Sequence, residues 1–189
     1  LIFRFETYFI NEIMSKNVTI VGAGLVGSLL SIYLAKRGYK INVYERRNDM
    51  RKVKMSAGKS INLALSDRGW RGLTGVGMSE DIKKIAIPMY GRYIHNKDGS
   101  SNFQPYGTKD QAIYSVSRAD INMKLMDLAE NNSGVNIHFN QKCTSVDRQA
   151  KTASFEDLNG TTSTQKFDLL FGADGAFAAS RLSMQLNND

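Results

Sequence analysis

Three glycines and one glutamate carry the clearest chemical signal in this sequence. The glycines form a G-x-G-x-x-G pattern at Gly22, Gly24 and Gly27. In such a pattern the first glycine permits a tight turn, the second lets a diphosphate approach the backbone, and the third lets a helix lie close to a strand. Glu45 follows where a carboxylate can accept hydrogen bonds from ribose hydroxyls and repel a 2′-phosphate. We therefore expect a dinucleotide of the FAD or NAD type, although Arg46 and Arg47 weaken the exclusion of a 2′-phosphate.

The segments around the glycines have the order that such a turn requires. Residues 17–21 form a short β-branched run, and residues 25–38 carry apolar side chains at helical spacing and stop at a glycine. Residues 40–45 predict a second strand. The N-terminus of the helix between the two strands offers unpaired N–H groups and a positive dipole end to phosphate groups. The context of strand, glycines, helix and strand therefore favours nucleotide binding.

The remainder of the chain shows two different strand patterns. Residues 86–115 are short, aromatic, strand-like pieces that include both prolines, which indicates an inserted antiparallel sheet. Ser117, followed by Asp120, predicts the start of a helix whose apolar face carries Ile121, Leu125 and Leu128. Three further features are predicted: a parallel strand at 135–139, a small meander at 143–146, 152–155 and 161–167, and an apolar strand that ends at Asp174 and Gly175.

Composition excludes several classes of protein. With 42% hydrophobic residues in 189, the chain can bury a core, and it has no apolar run long enough to span a membrane. A single cysteine, Cys143, allows no internal disulfide. His95 and His138 are far apart in sequence, so we expect ordinary strand histidines and no metal site. These features predict a soluble, cytoplasmic protein without membrane contact in this segment.

The net charge of +7, from 25 basic and 18 acidic residues, favours anionic ligands. The basic residues are scattered, and no stacking-aromatic motif accompanies them. We therefore expect a phosphate-bearing cofactor and no nucleic-acid partner.

A second motif, DLLFGADGAFAASR from Asp168 to Arg181, lies far downstream of the glycines. The two motifs together resemble group A flavoprotein monooxygenases. Within that class the stretches GKSINLALSDRG, IPMYGRYIH, PYGTKDQAIYSVSR and HFNQK resemble the kynurenine 3-monooxygenase family, over about Val18 to Arg181. The resemblance implies an α/β fold: a glutathione-reductase-like, Rossmann-type FAD-binding domain with a parallel sheet and a β-meander, and the beginning of an antiparallel substrate-binding sheet.

The domain boundaries and the activity follow from the same resemblance. We expect residues 1–13 to be an extension outside the fold, and residues 14–189 to be an FAD-binding domain to which residues 84–116 contribute part of the substrate-binding sheet. The family implies tightly bound, non-covalent FAD, NADPH as reductant, and hydroxylation of L-kynurenine to 3-hydroxykynurenine with O₂. Such proteins continue beyond the last motif seen here, so the chain is expected to be an N-terminal part of the enzyme.

The resemblance also implies roles for individual residues. Ala64, in the stretch from Ser60 to Ser66, is expected beside the flavin, and Arg118 is expected to contact FAD. Arg92 is expected to bind the substrate carboxylate, helped by Tyr106. Further cofactor contacts are implied at Leu25, Val26, Arg46, Cys143, Asp174, Gly175 and Ala179. No residue is assigned a catalytic acid or base role.

One departure from the family pattern bears on Asp174. The family commonly has serine four residues later, whereas this chain has Ala178 there and Ser180 two places further on. The local hydrogen bonding of Asp174 is therefore open at this stage. Three other functions also stay open: an NAD-dependent dehydrogenase, a related flavin monooxygenase with another aromatic substrate, and an inactive nucleotide-binding fragment.

Overall fold

A computed structural model describes residues 16–53 and 61–186, which form two compact units. The first unit contains the described residues 16–53 and 122–186, and the second contains residues 61–121. The expected extension at 1–13 and the position of Ser60 lie outside the described residues. The helices are α1 (Leu25–Ala35), α2 (Asp67–Val76), α3 (Ser79–Lys83), α4 (Arg118–Glu130) and α5 (Ala179–Leu186).

The strands of the first unit are β1 (Asn17–Val21), β2 (Lys40–Tyr44), β8 (Val135–His138), β9 (Lys142–Asp147), β10 (Thr152–Glu156), β11 (Thr162–Lys166) and β12 (Leu169–Gly172). A parallel sheet in the order β12-β1-β2-β8 is the base of this unit. Its inner strands are β-branched and almost fully buried, as expected for a parallel sheet whose two faces are covered. Strands β9, β10 and β11 form the predicted antiparallel meander.

One hydrophobic cluster of the first unit joins the parallel sheet to the meander. Phe155 of β10 is fully buried, and its ring stacks on Tyr44 of β2 with centroids 4.0 Å apart. The other face of the Tyr44 ring is occupied by His138, 4.7 Å away. Burial raises the pKa of the Tyr44 hydroxyl and lowers that of the His138 imidazole, since each loses water around its charged form.

The second unit contains the strands β3 (Asn62–Leu65), β4 (Ile87–Met89), β5 (Gly91–His95), β6 (Ser101–Pro105) and β7 (Ile113–Ser117). Strands β3, β7 and β4 pair antiparallel in that order, and β5 and β6 form a separate two-stranded sheet. The antiparallel insertion predicted from residues 86–115 is therefore confirmed. Helix α4 begins in this unit, and the N–H of Asp120 donates to the Ser117 hydroxyl, which is the cap expected from the sequence.

Two predicted boundaries were wrong by a few residues. The strand expected to end at Asp174 ends at Gly172, where its pairing with β1 stops. The first helix ends at Ala35 and is followed by a turn that reaches Gly38 with φ +84°. Both histidines lie in strands, as expected: His95 ends β5 and His138 ends β8.

A helix that crosses a membrane must be long and strongly apolar. None of the described helices, between residues 16 and 53 or between 61 and 186, combines the length and apolar character that a bilayer requires.

The stacked core yields a stability prediction. Phe155→Ala removes a fully buried ring and leaves a cavity beside Tyr44, so the free energy of unfolding should fall by about 3–5 kcal/mol. The matched control is Phe177→Ala, because Phe177 is 91% exposed and its truncation removes little buried surface. Denaturant titration measures the free energy of unfolding of both variants. Equal losses for the two variants would contradict the location of the core.

Candidate dinucleotide-binding site

The glycine turn lies at the carboxyl-terminal edge of the parallel sheet. Gly22 follows β1 directly, Glu45 follows β2, and Ala173 follows β12. Backbone hydrogen bonds join the three strand ends: Gly22 donates to the Tyr44 carbonyl, and Ala173 donates to the Val21 carbonyl, each at 2.7 Å. This edge is where open α/β sheets bind their ligands.

Two of the three glycines are required by close backbone approach. Gly22 has φ +100°, and a Cβ there would lie 2.5 Å from the carbonyl oxygen of Ala173. A Cβ on Gly27 would overlap the carbonyl oxygen of Gly22, so only glycine lets helix α1 come this close to the turn. The roles predicted for the first and third glycines, a tight turn and close helix packing, are consistent with this geometry.

Gly24 is different, because a Cβ there would meet no protein atom within 4 Å. Its backbone is extended, with φ −73° and ψ −174°, and it is the N-cap of helix α1 without a side-chain cap. The first intrahelical bond runs from the Ser28 N–H to the Gly24 carbonyl at 2.9 Å. The N–H groups of residues 24–27, which include Leu25 and the 68% exposed Val26, therefore have no partner of the i−4 type.

Glu45 is buried and faces the glycine turn. One carboxylate oxygen accepts the N–H of Ala23 at 2.8 Å, and the other accepts the N–H and Nε of Arg47 at 3.0 and 2.7 Å. Burial acts to raise the pKa of this carboxyl, but the hydrogen bonds from Arg47 and Ala23 outweigh it and place the pKa below its usual value. Glu45 is thus a fixed, ionised acceptor beside the unpaired N–H groups of the turn.

Asp174 closes the same edge of the sheet, and its local hydrogen bonding is now defined. Its carboxylate accepts the hydroxyl of Ser180 at 2.6 Å and the N–H of Ser180 at 3.1 Å. Ser180 thus supplies the hydrogen bonds of the Asp174 carboxylate, which accepts an N–H from the first turn of helix α5. Gly175, next to it, is exposed with φ +84°.

Three further predicted cofactor contacts also lie in the first unit. Arg46 is exposed and lines an open cavity of about 380 Å³ together with Asn140. Cys143 is a core residue, and burial, with a contribution from the charge of Asp174, raises the pKa of its thiol to about 11. Ala179 packs against that core. Cys143 can therefore act only as a neutral, apolar neighbour of a ligand.

The predicted substrate residues lie on the β5–β6 hairpin of the second unit. Arg92 pairs with Gln104, and its Nε donates to the Gln104 side-chain oxygen at 2.9 Å. The N–H of Tyr106 donates to the Tyr90 carbonyl at 2.9 Å, which extends the hydrogen bonding between β5 and β6 beyond the last strand pair. Since side chains alternate along a strand, Arg92, Gln104 and Tyr106 point to the same face. Both predicted residues are exposed there.

Ala64 and Arg118 also belong to the second unit. Ala64 is exposed in β3, opposite Ser115 of β7. Arg118 is the exposed first residue of helix α4, and its N–H donates to the Ile61 carbonyl at 3.2 Å. Each is accessible to a ligand within its own unit.

Sequence reasoning missed two residues that hold the glycine turn and its carboxylate. Arg47 binds Glu45, and Asn122 of helix α4 donates to the Ala23 carbonyl at 3.2 Å. Arg47 was noted only as a charge near the site. A polar residue among the buried apolar positions of a helix was the available signal for Asn122.

The Glu45 contacts predict a pH-dependent loss of stability. Because the folded-state pKa of Glu45 is depressed, its contribution is present above the ordinary glutamate pKa of about 4.3 and disappears as pH falls through the lower folded value. Glu45→Gln should lower the free energy of unfolding by about 1–3 kcal/mol at pH 7, with the difference from the wild type shrinking below about pH 4. Glu80→Gln, at an exposed ion pair, is the control and should show no comparable loss. Denaturant titrations at pH 7 and below about pH 4 give the free energies of unfolding. A difference between wild type and Glu45→Gln that is the same at both pH values would contradict the depressed pKa of Glu45.

Comparison with known proteins places this geometry in a family. A model of the FAD binding domain matches residues 15–188. Kynurenine 3-monooxygenase of Flavobacterium johnsoniae is 48% identical over 172 residues, and that of Myxococcus xanthus is 43% identical over 181 residues. These matches cover 90% and 95% of this chain but only 38% and 39% of the relatives, so the chain spans about two fifths of their length.

Solved structures share the fold at low sequence identity. The flavin-dependent monooxygenase PieE, determined in complex with FAD and substrate, superimposes with a TM-score of 0.76 at 17% identity, covering 90% of this chain and 32% of its own. The oxygenase of 2-methyl-3-hydroxypyridine-5-carboxylic acid gives a TM-score of 0.69 at 22% identity, covering 89% and 42%. These likenesses bear on the fold, and the α/β class expected from the sequence is confirmed. Since the domain model matches nearly every residue, the chain belongs to the FAD binding domain family.

Proposed function

We propose that this chain forms the FAD-binding part of a monooxygenase that hydroxylates L-kynurenine to 3-hydroxykynurenine, with NADPH as reductant and O₂ as co-substrate. The observation that carries the proposal is the buried, ionised Glu45 carboxylate beside a glycine turn whose helix N–H groups have no i−4 partner. The names of the relatives that are 41–48% identical support the choice of substrate.

The glycine turn fits a diphosphate by its shape and its donors. The open space at Gly24 leaves room for a phosphate against the backbone, and the following N–H groups can donate to it. The positive end of the α1 dipole adds to the attraction. In this assignment Gly24, Leu25, Val26 and Gly27 hold the diphosphate of FAD through backbone atoms.

Glu45 is the residue proposed to hold the adenosine ribose. One carboxylate oxygen already accepts two donors from Arg47, whereas the oxygen that accepts the Ala23 N–H keeps a second lone pair that a ribose hydroxyl can use. Arg47 is committed to this carboxylate, which leaves the exposed Arg46 as the neighbouring cation. A dinucleotide with a free 2′-hydroxyl, such as FAD, suits this site better than one with a 2′-phosphate.

The remaining roles concern the isoalloxazine ring and the substrate. When bound, FAD supplies the activation of O₂ with electrons from NADPH and the transfer of one oxygen atom to an electron-rich ring. Ala64 offers a small apolar neighbour for the flavin, and Arg118 and Asp174 are proposed to contact it. Arg92 has a planar fork that can hold the substrate carboxylate in two hydrogen bonds, and Tyr106 lies on the same face to add a third.

The proposed partners of the protein follow from the names of its relatives. A small-molecule substrate and O₂ are the partners implied by the relatives' names. Residues 84–116 as part of a substrate-binding sheet and a cytoplasmic location stay predictions from the sequence.

The diphosphate assignment is tested by Gly24→Ala. The backbone angles of Gly24 suit any residue and its Cβ would meet no protein atom, so the melting temperature should be unchanged or slightly higher. The added methyl group occupies the proposed phosphate position, so the FAD dissociation constant should rise at least about tenfold, or 1.4 kcal/mol.

Two measurements test this. Gel filtration shows whether the flavin absorbance stays with the protein, and titration of flavin fluorescence gives the dissociation constant. The control is Ser101→Ala on β6, which alters an exposed residue of a strand in the second unit, whereas the glycine turn belongs to the first. Wild-type protein that never retains FAD, or a Gly24→Ala variant that retains it equally well, would refute the proposed site.

The substrate assignment is tested by Arg92→Ala in the protein expressed from its complete gene. Loss of a charge-assisted pair worth about 2–3 kcal/mol should raise KM for kynurenine by about 100-fold, with kcat changed much less. Arg92→Lys should be intermediate, because lysine keeps the charge but not the fork. Arg148→Ala, in an exposed turn of the meander, is the control. An unchanged KM in Arg92→Ala would reject the carboxylate role.

A further inference from the structure

The peptide groups on the two sides of Ala23 are each held by a buried side chain from another element. Its N–H donates to Glu45 at 2.8 Å, and its carbonyl accepts the side-chain amide of Asn122 at 3.2 Å. Ser28 of helix α1 donates to the same carbonyl at 3.2 Å. Ser28 belongs to the helix that the turn begins. Among the described residues, Glu45 and Asn122 are therefore the side chains from other elements that hold the Ala23 peptide groups, in addition to the backbone bond from Gly22 to Tyr44.

The bond to Asn122 determines the direction of a neighbouring N–H group. The carbonyl of Ala23 and the N–H of Gly24 belong to one planar trans peptide unit, and they point in opposite directions. A carbonyl that is held against the buried Asn122 therefore turns the Gly24 N–H away from the interior. Gly24 itself lies at an open position, because a Cβ built on it would meet no protein atom within 4 Å.

Asn122 occupies a position where the helix otherwise has apolar side chains. Its neighbours on the buried side of α4 include Ala119, Leu125 and Met126, and Asn122 itself is only 5% exposed. Burying an amide costs free energy unless its hydrogen bonds are satisfied, and the side-chain oxygen of Asn122 has no partner among the described residues. A leucine would fill this position at lower cost, so packing does not explain the asparagine.

The orientation of the Asn122 amide is unambiguous. Only its NH₂ group can donate to a carbonyl, which assigns the nitrogen to the side of Ala23. The same nitrogen lies 3.2 Å from the sulfur of Met50, a weak acceptor. The donor to Ala23 is thus the strong interaction that this side chain makes.

We propose that Asn122 is a positioning residue of the dinucleotide site: by holding the Ala23 carbonyl inward, it aims the Gly24 N–H at the diphosphate. This inference rests on the proposed function for its ligand, but the geometry it invokes exists in the protein alone. Asn122 contacts neither phosphate nor flavin in this assignment.

The test is Asn122→Leu, with Asn132→Leu as the matched control. Asn132 also donates its side-chain amide to a backbone carbonyl of helix α4, that of Leu128 at 2.5 Å, but it has no hydrogen bond to the glycine turn. In Asn122→Leu the Ala23 carbonyl keeps its Ser28 donor, and a buried unpaired oxygen is removed. The melting temperature should therefore stay within about 3 °C of the wild type.

Two readouts separate positioning from a general structural role. The FAD dissociation constant of Asn122→Leu, from flavin fluorescence, should rise about tenfold. In the ligand-free protein, hydrogen–deuterium exchange of peptides covering residues 20–28 should become severalfold faster, because the Ala23 peptide groups have lost one of the two side chains that hold them from other elements. Asn132→Leu should change neither quantity.

Each possible result supports or overturns the positioning role of Asn122. Unchanged exchange at residues 20–28 in Asn122→Leu overturns the proposal, whether or not the wild-type protein binds FAD. A large fall in melting temperature that accompanies the loss of affinity assigns Asn122 to the core and also overturns it. Wild-type protein without FAD affinity defeats the proposed function alone, and the exchange data then decide the role of Asn122 separately.

Discussion

The hydrogen bond from the Ala23 N–H to the buried carboxylate of Glu45 is the constraint on which the rest of the site depends. It links the end of β1 to the end of β2, and it can form only because these strands pair in parallel, with Val21 opposite Tyr44. A buried carboxylate costs free energy unless it is paired and hydrogen-bonded. Ala23 and Arg47 supply those partners, so the charge that suits a ribose is stabilised by the same turn that suits a diphosphate.

The first unit has a second hydrogen-bonded carboxylate, partly buried, at the end of a neighbouring strand. Asp174 follows β12 as Glu45 follows β2, and it accepts both the N–H and the hydroxyl of Ser180. A carboxylate at the start of helix α5 also suits the positive end of the helix dipole. Ser180 lies in the first turn of the helix, so both its N–H and its hydroxyl can reach this carboxylate. Ser180 therefore satisfies the Asp174 carboxylate although position 178 is an alanine.

The sequence predicted most of the first unit, because its signals are local. The glycine spacing and the β-branched runs each act over a few residues, and the elements they predict are present. The Ser117 cap, in the second unit, is an equally local signal. The contacts that complete the site join distant parts of the chain: Asn122 reaches Ala23 across 99 positions, and Arg51 joins Asp127 and Glu130 across 76 and 79. No periodicity in a single sequence reports such pairs, so only the oddity of a polar residue on an apolar helix face could have indicated Asn122.

In the second unit, the pairing register of β5 and β6 determines which side chains share a face of the hairpin, and no buried charge is involved. Pairing of Arg92 with Gln104 puts Tyr106 on the same side of the β5–β6 hairpin, whereas Tyr93 and Phe103 pair on the other side with their rings 5.2 Å apart. A shift of one residue would exchange the two faces and separate Arg92 from Tyr106. Gly91 resists such a shift, because any Cβ there would overlap the Phe103 ring. The aromatic pair and this glycine therefore determine which side of the hairpin can present a guanidinium to a carboxylate.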